Sequence, residues 1–107
     1  MTIESPHASP AFELFIKDAP AHAQAWLAGV AGLESASALD KKTAHLAYIA
    51  VLAALRLESG VPFHVRLAKQ LGASRAEVIS SILVGLPAAG NAVMQCLPAA
   101  LSAYDDL

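Results

Sequence analysis

The chain has 107 residues, of which 56% are hydrophobic and only 15% charged, with seven Lys and Arg against nine Asp and Glu. That length holds one domain with a single core. A net charge of −2, with no basic run and no interleaving of basic and aromatic residues, argues against a nucleic-acid partner. The single cysteine, Cys96, excludes an internal disulfide, a CxxC redox pair and a cysteine-built zinc site. No HExxH spacing and no glycine-rich phosphate loop is present, so neither a metal nor a cofactor is expected, and a GxSxG hydrolase elbow is missing as well. The opening "MTIESPHASP" has neither the basic segment nor the apolar core of a secretion signal. The longest apolar runs, "LAYIAVLAAL" and "VISSILVGLPAAG", fall short of the about 20 residues that cross a bilayer. A cytoplasmic protein without a membrane partner is expected.

Apolar residues recur at spacings of three and four and nowhere alternate for long, so the chain reads as all-α, a single-domain bundle of about six helices. Residues 1–9 read as a flexible head and 10–107 as the helical domain. Pro10 opens "PAFELFIKDA", where Phe12, Phe15 and Ile16 share a face, and Pro20 restarts the chain. The next helix places Trp26 and Val30 four apart and ends in the small, polar "ESASA". Asp40 is a good N-cap for "KKTAHLAYIAVLAALRL", apolar nearly all round and so expected to be a central buried helix running to about Leu57. Gly60 breaks it, and Pro62 suits the first turn of "PFHVRLAKQL", which ends at Gly72, a candidate left-handed cap. "SRAE", Ser74 to Glu77, forms a capping box before "EVISSILVGL". Pro87 and Gly90 then lead to a last helix, "NAVMQCLPAALSAYDDL".

Of the 107 residues, 24 are alanine. So much apolar surface exceeds what one small core hides, and burial against copies of the same chain accounts for the excess. A homo-oligomer is therefore expected, the alternative being an Ala-rich monomer.

Two features could carry chemistry. His45 and His64 each lie about one turn into a helix, although spacing alone does not pair them. Either ring could equally sit at a core edge with one nitrogen bonded. Glu58 and Ser59 precede the helix of His64, whose N-terminus could hold a carboxylate or a developing oxyanion. Ser59 is equally an N-cap candidate and Glu58 a surface charge. Cys96 lies in the apolar "AVMQCLPAAL", where a thiol is a small buried hydrophobe.

The run "ALDKKTAHLAYIAVLAALRLESGVPFHVRLAKQLGASRAEVISSILVG" resembles the core of the carboxymuconolactone decarboxylase and alkylhydroperoxidase D-like family. The likeness rests on the "LDxKT" helix opening, the long apolar helix, and a histidine eight residues before a "GAS" turn, here His64 to Gly72. In the peroxidase branch a CxxC lies seven and four residues before that histidine and a relay glutamate 19 before it. Those places are Leu57, Gly60 and His45 here. A peroxidase of that type needs a thiolate to attack and a second thiol to resolve the sulfenic acid. Thiol peroxidase activity is therefore not expected.

The decarboxylase branch needs no cysteines. The resemblance implies a pocket in which His64 acts as acid or base during loss of CO2 from a small carboxylic acid or lactone, with His45 in the place of the relay glutamate and Glu58 at the rim. Ser59, Gly60 and Arg56 are the implied substrate contacts. Arg56 is favoured over Arg66, which lies two positions from His64 and so on another helix face. A homotrimer or homohexamer is the implied assembly. The alternative is a noncatalytic oligomeric scaffold or binding module that kept the shape and lost the thiols.

Overall fold

The computed structural model describes residues 9–106, and all regular structure among them is helical. Of the expected head, residues 1–8 lie outside the described part. Ser9 caps the first helix, its Oγ accepting from the Phe12 N–H at 3.2 Å while Pro10 occupies the first turn of α1, Pro10–Asp18. Pro20 opens α2, Pro20–Ala36, and Ala19, kept out of the helical region before a proline at φ −133° and ψ 59°, separates the two. Asp40 caps α3, Lys41–Ala54, doubly: its carboxylate accepts from the Thr43 N–H at 2.8 Å and from the Thr43 hydroxyl at 3.0 Å.

The joint after α3 is shorter than the expected helix to Leu57. Arg56 takes a left-handed φ of 60°, and the N–H groups of Arg56 and Leu57 bond back to the carbonyls of Ala53 and Leu52, a Schellman closure that ends the helix at Ala54. A 3-10 turn, Glu58–Gly60, then leads into α4, Val61–Gln70, with Pro62 in its first turn. Gly72, at φ 95°, closes α4 in the same way. The capping box is present as read: the Glu77 N–H donates to Ser74 Oγ at 3.0 Å and the Ser74 N–H to the Glu77 carboxylate at 2.8 Å, opening α5, Arg75–Leu83. The last expected helix is divided. After the short α6, Leu86–Ala89, residues Gly90–Cys96 wind as 3-10 helix, and regular α-helix resumes only at α7, Leu97–Asp105, where Pro98 fits the first turn.

The core lies among α3, α4, α5, the second 3-10 segment and α7. Ile49 and Leu52 of α3, Val61 and Val65 of α4, Val78 and Ile82 of α5, Val93, Cys96 and Ala100 form one buried cluster. At about 1.5–3 kcal/mol per fully buried aliphatic side chain, this cluster is the principal favourable term holding the fold. Basic residues of α4 fasten the end of α7: Arg66 donates to the carbonyls of Ala103 and Asp106, and Lys69 to that of Tyr104. Cations at a helix C-terminus meet both its free carbonyls and its negative dipole end. Arg75 adds a two-pronged ion pair with Asp105, and Tyr104 donates to the Ala73 carbonyl at 2.8 Å.

Two expectations are corrected here. α3 is not buried all round: Ile49, Leu52 and Ala53 face the core, while Val51 turns away from it and Tyr48 and Leu55, which flank Leu52, are exposed. The stretch Arg75–Asp105, counted as one helical run, is 31 residues with a mean hydropathy of 1.4 in its most apolar window, long and apolar enough to cross a membrane. It is not a straight rod, however, because α5 and α7 pack against each other across the break at Gly90, whose φ is 77°. α2 buries only Ala23, packs chiefly on α1, and leaves Trp26 and Leu33 exposed.

Candidate functional site

α3 and α4 run antiparallel through the tight joint, so Gly60 packs on Leu52 and, one turn further into each helix, His64 meets Tyr48. The rings of His64 and Tyr48 have centroids 4.6 Å apart, and His45, one turn before Tyr48, lies 6.1 Å from His64. Phe63 closes the other side edge-on at 5.3 Å. The two histidines that spacing alone left unpaired therefore meet within one chain.

They form one wall of a half-open groove of about 350 Å³. α2 forms the other wall with Trp26, Val30, Leu33 and Glu34, followed by Ser37 just beyond its end; Ala44 and Tyr48 complete the α3 side. A groove of this size admits a one- or two-ring molecule, and its surface is mostly carbon, as ligand pockets usually are. His64 is half-buried, and its Nδ1 has no hydrogen-bond partner and no access to water. Burial, and after it the charge of His45, pushes His64 down to about 4, so the ring is neutral at pH 7.

The other sequence candidates lie elsewhere. Arg56 is exposed in the Schellman closure, and Glu58 and Ser59 are exposed on the 3-10 turn; none of them lines the groove. Ser59 provides no side-chain cap, since Gly60 holds the N-cap position of α4. Gly60 faces Leu52 and not the groove: a Cβ added there would meet the Leu52 side chain at 3.6 Å, an ordinary van der Waals contact. The N-terminus of α4 is a poor anion site, because the Val61 N–H already bonds the Glu58 carbonyl and Pro62 has none to offer. Arg66 is engaged at the end of α7, as its different helix face implies. Cys96 is fully buried in the core, where burial and then the charge of Glu58 push its thiol up. Tyr48 and the α2 wall are the residues that sequence reasoning missed. Tyr48 carried a local signal, three positions from His45 and so on the same face of α3.

The model of the carboxymuconolactone decarboxylase family matches residues 20–102. The chain belongs to that family. The match takes in both walls of the groove and all of α3 to α5. No curated protein and no solved structure matches the chain significantly. Within the family fold, Leu57 is half-exposed and Gly60 is packed on α3, and neither offers a nucleophile beside His64.

Proposed function

We propose that this family member binds a small carboxylic acid or lactone in the α2–α3–α4 groove and handles a proton there with His45 and His64. The observation that carries the reading is the pairing of the two rings, 6.1 Å apart on the wall of one apolar groove that contains no thiol. In such a site a neutral imidazole can polarise a carbonyl or exchange a proton with carbon, the roles that a lyase-like reaction requires. Loss of CO2 would leave an electron pair on carbon, and an imidazole N–H within reach would protonate it. Peroxidase chemistry lacks its two thiols. Homotrimer or homohexamer assembly belongs to the same proposal, supported by Val51 and Leu55, which are exposed at α3 outside the groove.

A noncatalytic oligomeric scaffold is the competing reading, and the exposed Val51 and Leu55 suit it equally. A structural histidine in a scaffold would be bonded to backbone, whereas His64 has an orphaned Nδ1 and a face on the groove. The test is a thermal-shift screen of small carboxylic acids and lactones against wild type and His64→Ala. A compound that stabilises only the wild type supports the site. If none does, and His64→Ala merely melts at a different temperature, the scaffold reading stands.

A further inference from the structure

A histidine in a working site is usually oriented by a bond from one ring nitrogen to a carboxylate or a backbone carbonyl. The Nδ1 of His64 has no such partner, and water does not reach it. Only Nε2 is left to face a ligand in the groove, and a half-turn of the ring about its Cβ–Cγ bond would put a carbon in the place of that nitrogen. Packing, not hydrogen bonding, therefore has to set the ring.

Two aromatic side chains supply that packing. Phe63 stands on the imidazole edge-on, with centroids 5.3 Å apart and an interplanar angle of 87°. Tyr48 is nearer, 4.6 Å away and tilted by 56°, so its ring lies against the imidazole. Phe63 is the neighbour of His64 on α4, whereas Tyr48 comes from α3 and ties the ring to the facing helix. Tyr48 lines the groove and is 47% exposed, so it covers the imidazole on one side and meets solvent on the other. Tyr104, in contrast, spends its hydroxyl on the Ala73 carbonyl and fastens α7.

We propose that Tyr48 is the positioning residue of the groove: its ring, laid on His64 from α3, holds the imidazole with Nε2 outward and keeps water from Nδ1. The purpose of this arrangement rests on the small-molecule reading, since an imidazole is aimed only where a ligand is met.

The titratable groups around His64 are few. α3 contributes His45, whose charge opposes a second one on His64, and α2 contributes Glu34 on the other wall. Glu58, before α4, is exposed outside the groove. Elsewhere Asp105 of α7 pairs with Arg75, Glu77 of α5 pairs with Lys42, and Arg66 and Lys69 of α4 hold the end of α7. Burial comes before His45 in lowering His64 to about 4. Removing the cover that Tyr48 supplies should therefore restore much of the basicity of the ring.

The test needs no ligand. The Cε1–H signal of each histidine is followed by NMR between about pH 3 and about pH 8, with His64→Gln assigning its signal and His22, exposed on α2 outside the groove, as internal control. The wild-type midpoint of His64 is expected at about 4. Tyr48→Phe keeps the ring and should keep that midpoint. Tyr48→Ala should raise it by about one unit or more toward the free value of about 6.5, with His22 unmoved. Circular dichroism at each pH establishes that the variants are folded; if the alanine variant unfolds in acid, Tyr48→Leu is read in its place and should move the midpoint in the same direction. An unmoved midpoint in the truncated variant overturns the proposal. So does a midpoint in Tyr48→Phe that rises as far as in Tyr48→Ala, which would assign the effect to the hydroxyl, and so does a wild-type midpoint already near the free value. Any of these failures leaves the small-molecule site standing, whereas a blank screen of acids and lactones removes that site without moving the midpoint.

Discussion

Arg56 and Gly72 occupy the same position in the same Schellman closure, Arg56 after α3 at φ 60° and Gly72 after α4 at φ 95°. Glycine adopts that conformation at no steric cost, whereas a side chain there meets the neighbouring carbonyl at roughly 1–2 kcal/mol. The residue that sequence reasoning favoured as a carboxylate anchor is thus held in a costly backbone conformation, exposed and away from the groove. Arg56→Gly should stabilise the fold by about 1 kcal/mol and raise the melting midpoint by roughly 4–8 °C. Gly72→Ala should shift it in the opposite direction by a similar amount. Ligand binding followed by Trp26 fluorescence should be unchanged in Arg56→Gly; a large loss would return Arg56 to the site.

The helices were legible because their ends are written in short-range chemistry. Asp40 with Thr43, and Ser74 with Glu77, satisfy each other locally, and Pro10, Pro20 and Pro62 act within one turn. The end of α3 was not legible, since a closure led by arginine has no glycine to announce it. The 3-10 winding before α7 was hidden for a related reason: its apolar spacing resembles that of an α-helix. Of the candidate groove, His45 and His64 were readable, because each carries its own chemistry. The α2 wall was not, because Trp26, Leu33 and Glu34 gain meaning only when α2 is laid across α3, a relationship between residues far apart in the chain. Long-range placement also leaves Glu58, Ser59 and Gly60 outside the groove despite their nearness to His64 in sequence.

His64 gives stability a pH dependence that differs from that of the surface carboxylates. Its pKa falls from about 6.5 in the unfolded chain to about 4 in the fold. Between those values the unfolded state binds more protons, so stability falls as pH drops through that window and is fully retained above it. The loss should be on the order of 2 kcal/mol, less than the whole shift implies because solvent reaches part of the ring. Asp40, Glu77 and Asp105 have lowered pKa values from their hydrogen bonds and ion pairs, so their contribution is lost further down, below the ordinary carboxylate range. Urea unfolding of wild type and His64→Leu at a series of pH values separates the two. The slope between pH 6.5 and about 4 should flatten in the variant, and the steeper limb below it should persist. An unchanged upper slope would show that the ring is not the group that titrates there.

Cys96 should behave as core and not as a reagent. Its thiol is fully buried and its pKa is raised, so it lacks both the access and the thiolate that oxidation or disulfide exchange requires. Reaction with Ellman's reagent should be slow in buffer and complete at once in denaturant. Peroxide turnover with a thiol reductant should be at background in wild type. Cys96→Ser should change only stability, downward by about 1–3 kcal/mol, because it leaves a hydroxyl in a carbon environment. Turnover that disappears in Cys96→Ser would contradict this directly.

The outer face of α3 predicts assembly. Val51 and Leu55 lie four apart at helical spacing outside the groove, with Leu55 62% exposed and Val51 turned away from the core face of Ile49 and Ala53. A helix with apolar residues on both faces belongs between two layers, and one protomer supplies only one of them. Covering a leucine and a valine from each partner contributes roughly 1.5–3 kcal/mol per side chain, enough over a symmetric contact to decide the equilibrium. Light scattering at micromolar concentration should give a multiple of the 11.0 kDa protomer, with a trimer or hexamer expected. Val51→Glu and Leu55→Glu should shift the mass toward the protomer, because a carboxylate buried at such a contact has no partner. Neither residue lines the groove, so Trp26 fluorescence can show whether ligand binding survives dissociation. A wild-type mass of one protomer would mean that α3 carries its outer apolar stripe exposed to water, and the proposed assembly would fall.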